Sequence, residues 1–149
     1  MANLNMYDTF IRDQHKSGQI DLEDTVTYTF KIAIVTSAYS PATGTDDFWD
    51  DVSANEVSGT GYTAGGNAIA SPAVTLAGGT ITFDAADPST WSQDGAGFSN
   101  GRRAIVYADT GTPGTSRLIA YSDDFGSNQG NVSGDLTLTI SATGIFTAT

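Results

Sequence analysis

Residues 25–37, TVTYTFKIAIVTS, decide the fold. Val26, Tyr28, Phe30, Ile32 and Ile34 recur at every second position, which puts five apolar side chains on one face of an extended strand. The alternate face carries Thr27, Thr29, Lys31, Ala33 and Val35, polar at the start and apolar by the end. That drift predicts a strand half solvated where it begins and buried on both sides where it finishes. β-Branched and aromatic residues dominate it, as a pleated surface requires. The spacing predicts a central strand of a β domain over 25–37.

Downstream, short strand candidates alternate with turn signals. They are 68–76, 80–84, 103–109, 116–122 and 136–140, with 145–147 as a last edge. Ala77-Gly78-Gly79 between two of them reads as a hairpin turn, and 112–115 and 126–134 read as loops. Leu136, Leu138 and Ile140 alternate with Thr137, Thr139 and Ser141, a second one-sided strand. Upstream, Leu4, Tyr7, Phe10 and Ile11 recur at three- and four-residue spacings, which predicts a short amphipathic helix. Asn3 or Asn5 would cap it, Lys16 suits its last turn, Gly18 would end it, and Asp8 and Arg12 are spaced for an ion pair. So short a helix must dock its apolar face on the sheet or on a neighbouring subunit. The sequence therefore predicts an all-β, single-domain antiparallel β-sandwich or barrel-like fold over 1–149. Residues 1–18 would form an N-terminal helical segment and 25–149 the β-sandwich.

A length of 149 residues suits one domain with a genuine core, and a hydrophobic fraction of 39% with abundant Gly, Ser and Thr suits a loop-rich β protein. Cysteine is absent, which excludes disulfides and thiolate chemistry. Six basic residues against seventeen acidic ones give a net charge of −11, which disfavours direct contact with nucleic acid or an anionic membrane. The opening MANLNMYDTF lacks the basic and apolar regions of a signal peptide, and no apolar run approaches the roughly 20 residues of a membrane helix.

Between 38 and 66, DDFWDDV reads as a helical turn capped by Thr45 that turns Phe48, Trp49 and Val52 inward. Its carboxylates Asp46, Asp47, Asp50 and Asp51, with Glu56 nearby, are the one cluster dense enough to suggest a hard cation. Their spacing is not that of an EF-hand loop, so a solvated acidic cap is the expected role and metal ligation the alternative. Gly59 and Gly61 lack the Lys-Ser or Lys-Thr of a phosphate loop, and residues 56–66 read as an extended stretch broken by glycines. His15, the only histidine, stands on the predicted helix without a nucleophile motif. Arg102 and Arg103 are the only local concentration of positive charge, expected to pair within the chain or across a subunit contact. Trp49, Trp91, Tyr39 and Tyr62 are expected in the core, a sugar-stacking platform being the alternative. No catalytic set and no cofactor site is expected.

The succession KIAIVTSAYSP, DDFWDDVSANEVSGTGYTAGG, a tryptophan, RRAIVYADTGTPGTSRLIAY and a terminal strand after a Gly-rich loop resembles a group of small virion structural proteins of tailed bacteriophages, commonly head proteins. The resemblance spans residues 5–149, and NEVSGTGYTAGG is its most specific piece. It implies a non-enzymatic structural role, foremost a capsid decoration or cement protein on the outer head surface, assembled in the host bacterial cytoplasm. A fibre or tail component is the next assignment, and a carbohydrate-binding β module stands outside the resemblance. The implied partners are the major capsid protein and copies of the chain itself, a trimer being the expected homo-oligomer. Leu4, Tyr7, Phe10, Ile11, Arg102 and Arg103 are the candidate contact residues.

Overall fold

A computed structural model describes residues 4–14 and 19–149. Asn3, His15, Lys16 and Gly18, named above as caps, helix-end residues or a lone histidine, lie outside that range. In chain order the elements are β1 (Leu4–Met6), α1 (Asp8–Gln14), β2 (Thr29–Thr36), β3 (Asn67–Ala68), β4 (Ala73–Ala77), β5 (Thr80–Asp84), β6 (Gly101–Asp109), β7 (Arg117–Ser122) and β8 (Phe146–Ala148). Single 3-10 turns occur at Trp49–Asp51, Ser53–Asn55 and Pro113–Thr115. The strands form two antiparallel sheets, ordered β1-β7-β6-β2-β3 and β4-β5-β8. Among the described residues neither sheet closes into a barrel.

β2 lies inside the larger sheet, paired along its length with β6. Its burial follows the drift in its sequence. Thr29 is exposed and Lys31 half-buried, whereas Ile32, Ala33, Ile34 and Val35 are fully buried. Both faces are covered there. Phe30 meets Phe83 of β5 at 5.9 Å on one face, while Trp49 stacks on Tyr107 of β6 at 4.5 Å on the other. Phe10 and Phe146, 5.8 Å apart, extend the first cluster and lock α1 onto β8.

Several expectations need correction. The strand begins at Thr29, not at residue 25, and Val26 is 97% exposed. Asp24 Oδ1 accepts the Val26 and Thr27 amides at 2.9 Å each, a local turn that captures the donors a strand would need. The helical segment is split as well. Leu4–Met6 pairs with β7, and the helix starts at Asp8, because the edge of β7 offers a ladder that one helical turn cannot match. Asn5 caps no helix and bonds Asp123 instead. Asp8 accepts from Thr43 and Arg12 pairs with Asp13, so the Asp8–Arg12 pair does not form.

The run 68–76 breaks at Ser71-Pro72, where Ser71 has φ 53° and Pro72 offers no donor. The chain changes sheets at that break: β3 pairs with β2, and β4 pairs with β5. Residues 136–140 alternate in burial as their sequence implies, yet they hold only one bridge, Leu136 to Trp91. Asp87 takes the Ile140 amide in place of a neighbouring strand. The hairpin is as read, with Gly78 and Gly79 at φ 57° and 81° between Ala77 and Thr80, the left-handed pair a two-residue turn requires.

Candidate functional site

The smaller sheet has one apolar face. Register sets Val74 opposite Phe83 and Leu76 opposite Ile81 on β4 and β5, then Phe83 opposite Phe146 and Ile81 opposite Ala148 on β5 and β8. Phe83 is sunk in the core, but toward the hairpin Val74, Ile81 and Leu76 are 38%, 43% and 72% exposed. α1 runs alongside, turning Phe10 inward and leaving Ile11 42% exposed. A groove of about 450 Å³ lies between them, walled by Met6, Ile11, Ile20, Val74, Ile81 and Phe146, with Gln14, Asp21 and Glu23 as its polar members. No charged residue occurs between Glu56 and Asp84, the longest uncharged stretch of a chain of net charge −11. An exposed apolar face of this kind is one mark of an interaction surface.

The acidic stretch is put to another use. Asp46 Oδ2 accepts the Tyr39 hydroxyl at 2.7 Å and the Ala42 amide at 3.0 Å. Asp51 Oδ2 accepts the Asp47 and Phe48 amides at 3.0 and 3.1 Å, capping the Trp49 turn in place of Thr45, whose hydroxyl bonds Ala42. Burial pushes the Asp47 carboxyl upward, and the nearby Asp51 adds to it. Among the described residues no group of three acidic or histidine side chains is placed to hold a metal.

A second, more open cleft of about 240 Å³ collects Lys31, Trp49, Glu56, Tyr107 and Asp109. Glu56 Oε1 accepts the Tyr62 hydroxyl and the Gly65 amide, both at 2.7 Å. Tyr62 Oη in turn accepts the Ile34 amide at 3.0 Å, and Tyr107 donates to the Gly65 carbonyl at 2.7 Å. Burial raises the Glu56 carboxyl more than its donors lower it. At Asp109 burial is outweighed by Lys31, 2.7 Å away, with the Gly111 amide assisting, and the carboxyl moves down. Two carboxylates driven in opposite directions in one cleft have the separation that acid–base chemistry needs. Here both are occupied: Glu56 holds residues 56–66 against the edge of β2 beyond β3, and Asp109 is closed by Lys31.

The remaining sequence candidates scatter. Tyr7 and Phe10 are buried in the chain's own core, Tyr7 edge-on to Tyr121 at 5.0 Å, so they present no contact surface. Leu4 is half-buried on β1, and of the four Phe10 lines the floor of the groove while Ile11 alone is exposed along it. Arg102 grips Asp124 at 2.5 and 2.9 Å, and Arg103 bonds the Ser122 carbonyl, so both are engaged within the chain. Trp49, Trp91 and Tyr39 are buried, and Tyr62 stacks on Trp91 at 6.0 Å, which leaves no sugar platform among them. Gly59 fits because a Cβ there would lie 2.4 Å from the Gly97 backbone, a packing role and not a phosphate loop.

Sequence reasoning missed three participants: Glu23, the exposed half of the β4–β5 hairpin, and the separate duty of Glu56. Val74, Leu76, Ile81 and Phe83 did carry a signal, two short alternations meeting at a Gly-Gly turn. No protein-family model, curated protein or solved structure matches the chain.

Proposed function

We propose that the chain is a tailed-bacteriophage virion protein, a β-sandwich that decorates the outer head surface and stabilises the shell. The succession of motifs from KIAIVTS to RLIAY supports the virion, and the observation that carries the binding role is the uncharged apolar face beside the α1 groove. Elsewhere carboxylates dominate the surface charge, so an approaching subunit meets the least electrostatic and desolvation cost at this face. Its occupant is an apolar segment of the major capsid protein, and burial contributes at roughly 25 cal/mol per Å² of apolar surface covered. A stable contact of about 800 Å² per partner extends beyond the groove to the hairpin around it. The mechanism is mass action: each bound copy adds its binding free energy to a shell subunit's native state. No step of it calls for an active site or a cofactor.

The test uses particles of the encoding phage prepared without this gene. The purified chain is expected to bind them, and Ile81→Lys, a charge at a 43% exposed site, should weaken binding at least tenfold while leaving the melting temperature within a few degrees. Equal binding by the variant, or no binding by the parent chain, would overturn the proposal.

A further inference from the structure

β4 is the outer strand of its sheet. The two-residue turn makes Ala77 and Thr80 the closing hydrogen-bonded pair, so Ala73, Thr75 and Ala77 direct their backbone groups at β5 while Val74 and Leu76 direct theirs outward. The Val74 amide bears this out, donating to Glu23 Oε1 at 2.9 Å. The outward groups of Leu76 have no partner among the described residues. Natural edges are guarded by charge, proline, bulges or brevity. Here the pairing register runs unbroken from Ala73 to Ala77, every side chain is exposed, none is charged, and Pro72 stands just before the paired segment. Among the described residues Glu23 is the one guard.

We propose that β4 pairs with β4 of a second copy, antiparallel, with Thr75 on the two-fold axis. The sequence Ala-Val-Thr-Leu-Ala is nearly palindromic. An axis through Thr75, normal to the sheet, sets Ala73 opposite Ala77 and Val74 opposite Leu76 of the second copy. The apolar faces then continue on one side of a joined sheet, β8-β5-β4-β4-β5-β8. That self-complementary register points to a second copy as the occupant. Two chains of net charge −11 repel, and this uncharged stretch lets like meet like with Glu23 of each copy as the carboxylate at the seam. Each Leu76 amide would donate to a Val74 carbonyl and each Val74 amide to a Leu76 carbonyl. The latter requires Glu23 to release Val74, so Glu23 limits the affinity of the contact. Such pairing closes as a dimer, not as the trimer expected from sequence, and it does not depend on a virion role.

The chain has no cysteine, so Thr75→Cys introduces its sole thiol. On the axis Thr75 faces itself in a non-hydrogen-bonded pair, with Cα atoms about 4.5 Å apart, within reach of a disulfide. Mild oxidation of the dilute full-length variant should give a covalent dimer. Ala77→Cys, about 13 Å from its own mate in this register, should not link. By sedimentation equilibrium the parent chain should dimerise, Leu76→Lys should be monomeric with an unchanged melting temperature, and Glu23→Ala should dimerise several-fold more tightly. A monomeric parent chain, cross-linking equal at the two positions, or dimerisation indifferent to Leu76→Lys would overturn the proposal. None of these measurements uses particles, so their failure is separable from failure of the virion reading.

Discussion

Glu56 accepts the Tyr62 hydroxyl and the Gly65 amide through one oxygen, in a site whose burial raises its carboxyl. A group raised on folding contributes stability below its unfolded pKa and loses that contribution as pH climbs through the folded value. Glu56 should therefore make stability decline as pH rises from about 4, near the ordinary glutamate value, toward neutrality. Glu56→Gln keeps the acceptor and removes the charge, so it should flatten this dependence and match or exceed the parent chain at pH 7. Glu56→Ala strands two buried donors and should cost about 1–3 kcal/mol at any pH. Urea midpoints of the three chains between pH 4 and 8 check both, and a parallel decline in Glu56→Gln would refute the assignment. None of this was legible in sequence, where Glu56 reads as one more acid beside four aspartates. Only the fold carries it away from them, onto the edge of β2 beyond β3, where it bridges Val35. Asn131, also missed, sits in a Gly-rich loop yet is fully buried, bonding Thr60, Ser92 and Phe98, and no local pattern marks such a residue.

Alternation made β2 and β5 legible, because period two is imposed by burial and survives without knowledge of partners. By contrast β6 and β7, buried at consecutive positions over 104–108 and 118–120, were legible as short apolar runs between turn signals. The same alternation at 136–140 gave the buried side correctly and the ladder incorrectly, since burial does not require a hydrogen-bonded neighbour. Local chemistry overrode pattern at Val26, where Asp24 turns the chain, and at Pro72, which cuts one apparent strand into two. The face assignment within β2 has a direct test. Ile32 is fully buried opposite Val106, so Ile32→Asp should cost upward of about 4 kcal/mol, near loss of folding. Thr29→Asp, at the exposed start of the same strand, should cost under about 1 kcal/mol. Chemical denaturation of the pair measures the difference, and equal losses would mean that the two positions are not as differently buried as described.

At the scale of the whole molecule, charge and apolar surface are segregated. The acidic residues cap turns and pair with the few arginines and Lys31, while the uncharged stretch 57–83 carries the exposed half of the smaller sheet. Net charge was legible at once from composition. The placement of its one gap was not, because β4 and β5 become an exposed face only when the chain switches sheets at Ser71-Pro72. On the proposed reading, that segregation leaves one side for a protein partner and another for water. The most direct test of this orientation is a cryo-EM map of the assembled phage particle. The account predicts density for this chain on the outer surface of the head, with Ile11, Ile81 and the α1 groove turned toward the shell. Density for the chain elsewhere on the particle, or on the head with that groove open to solvent, would contradict it.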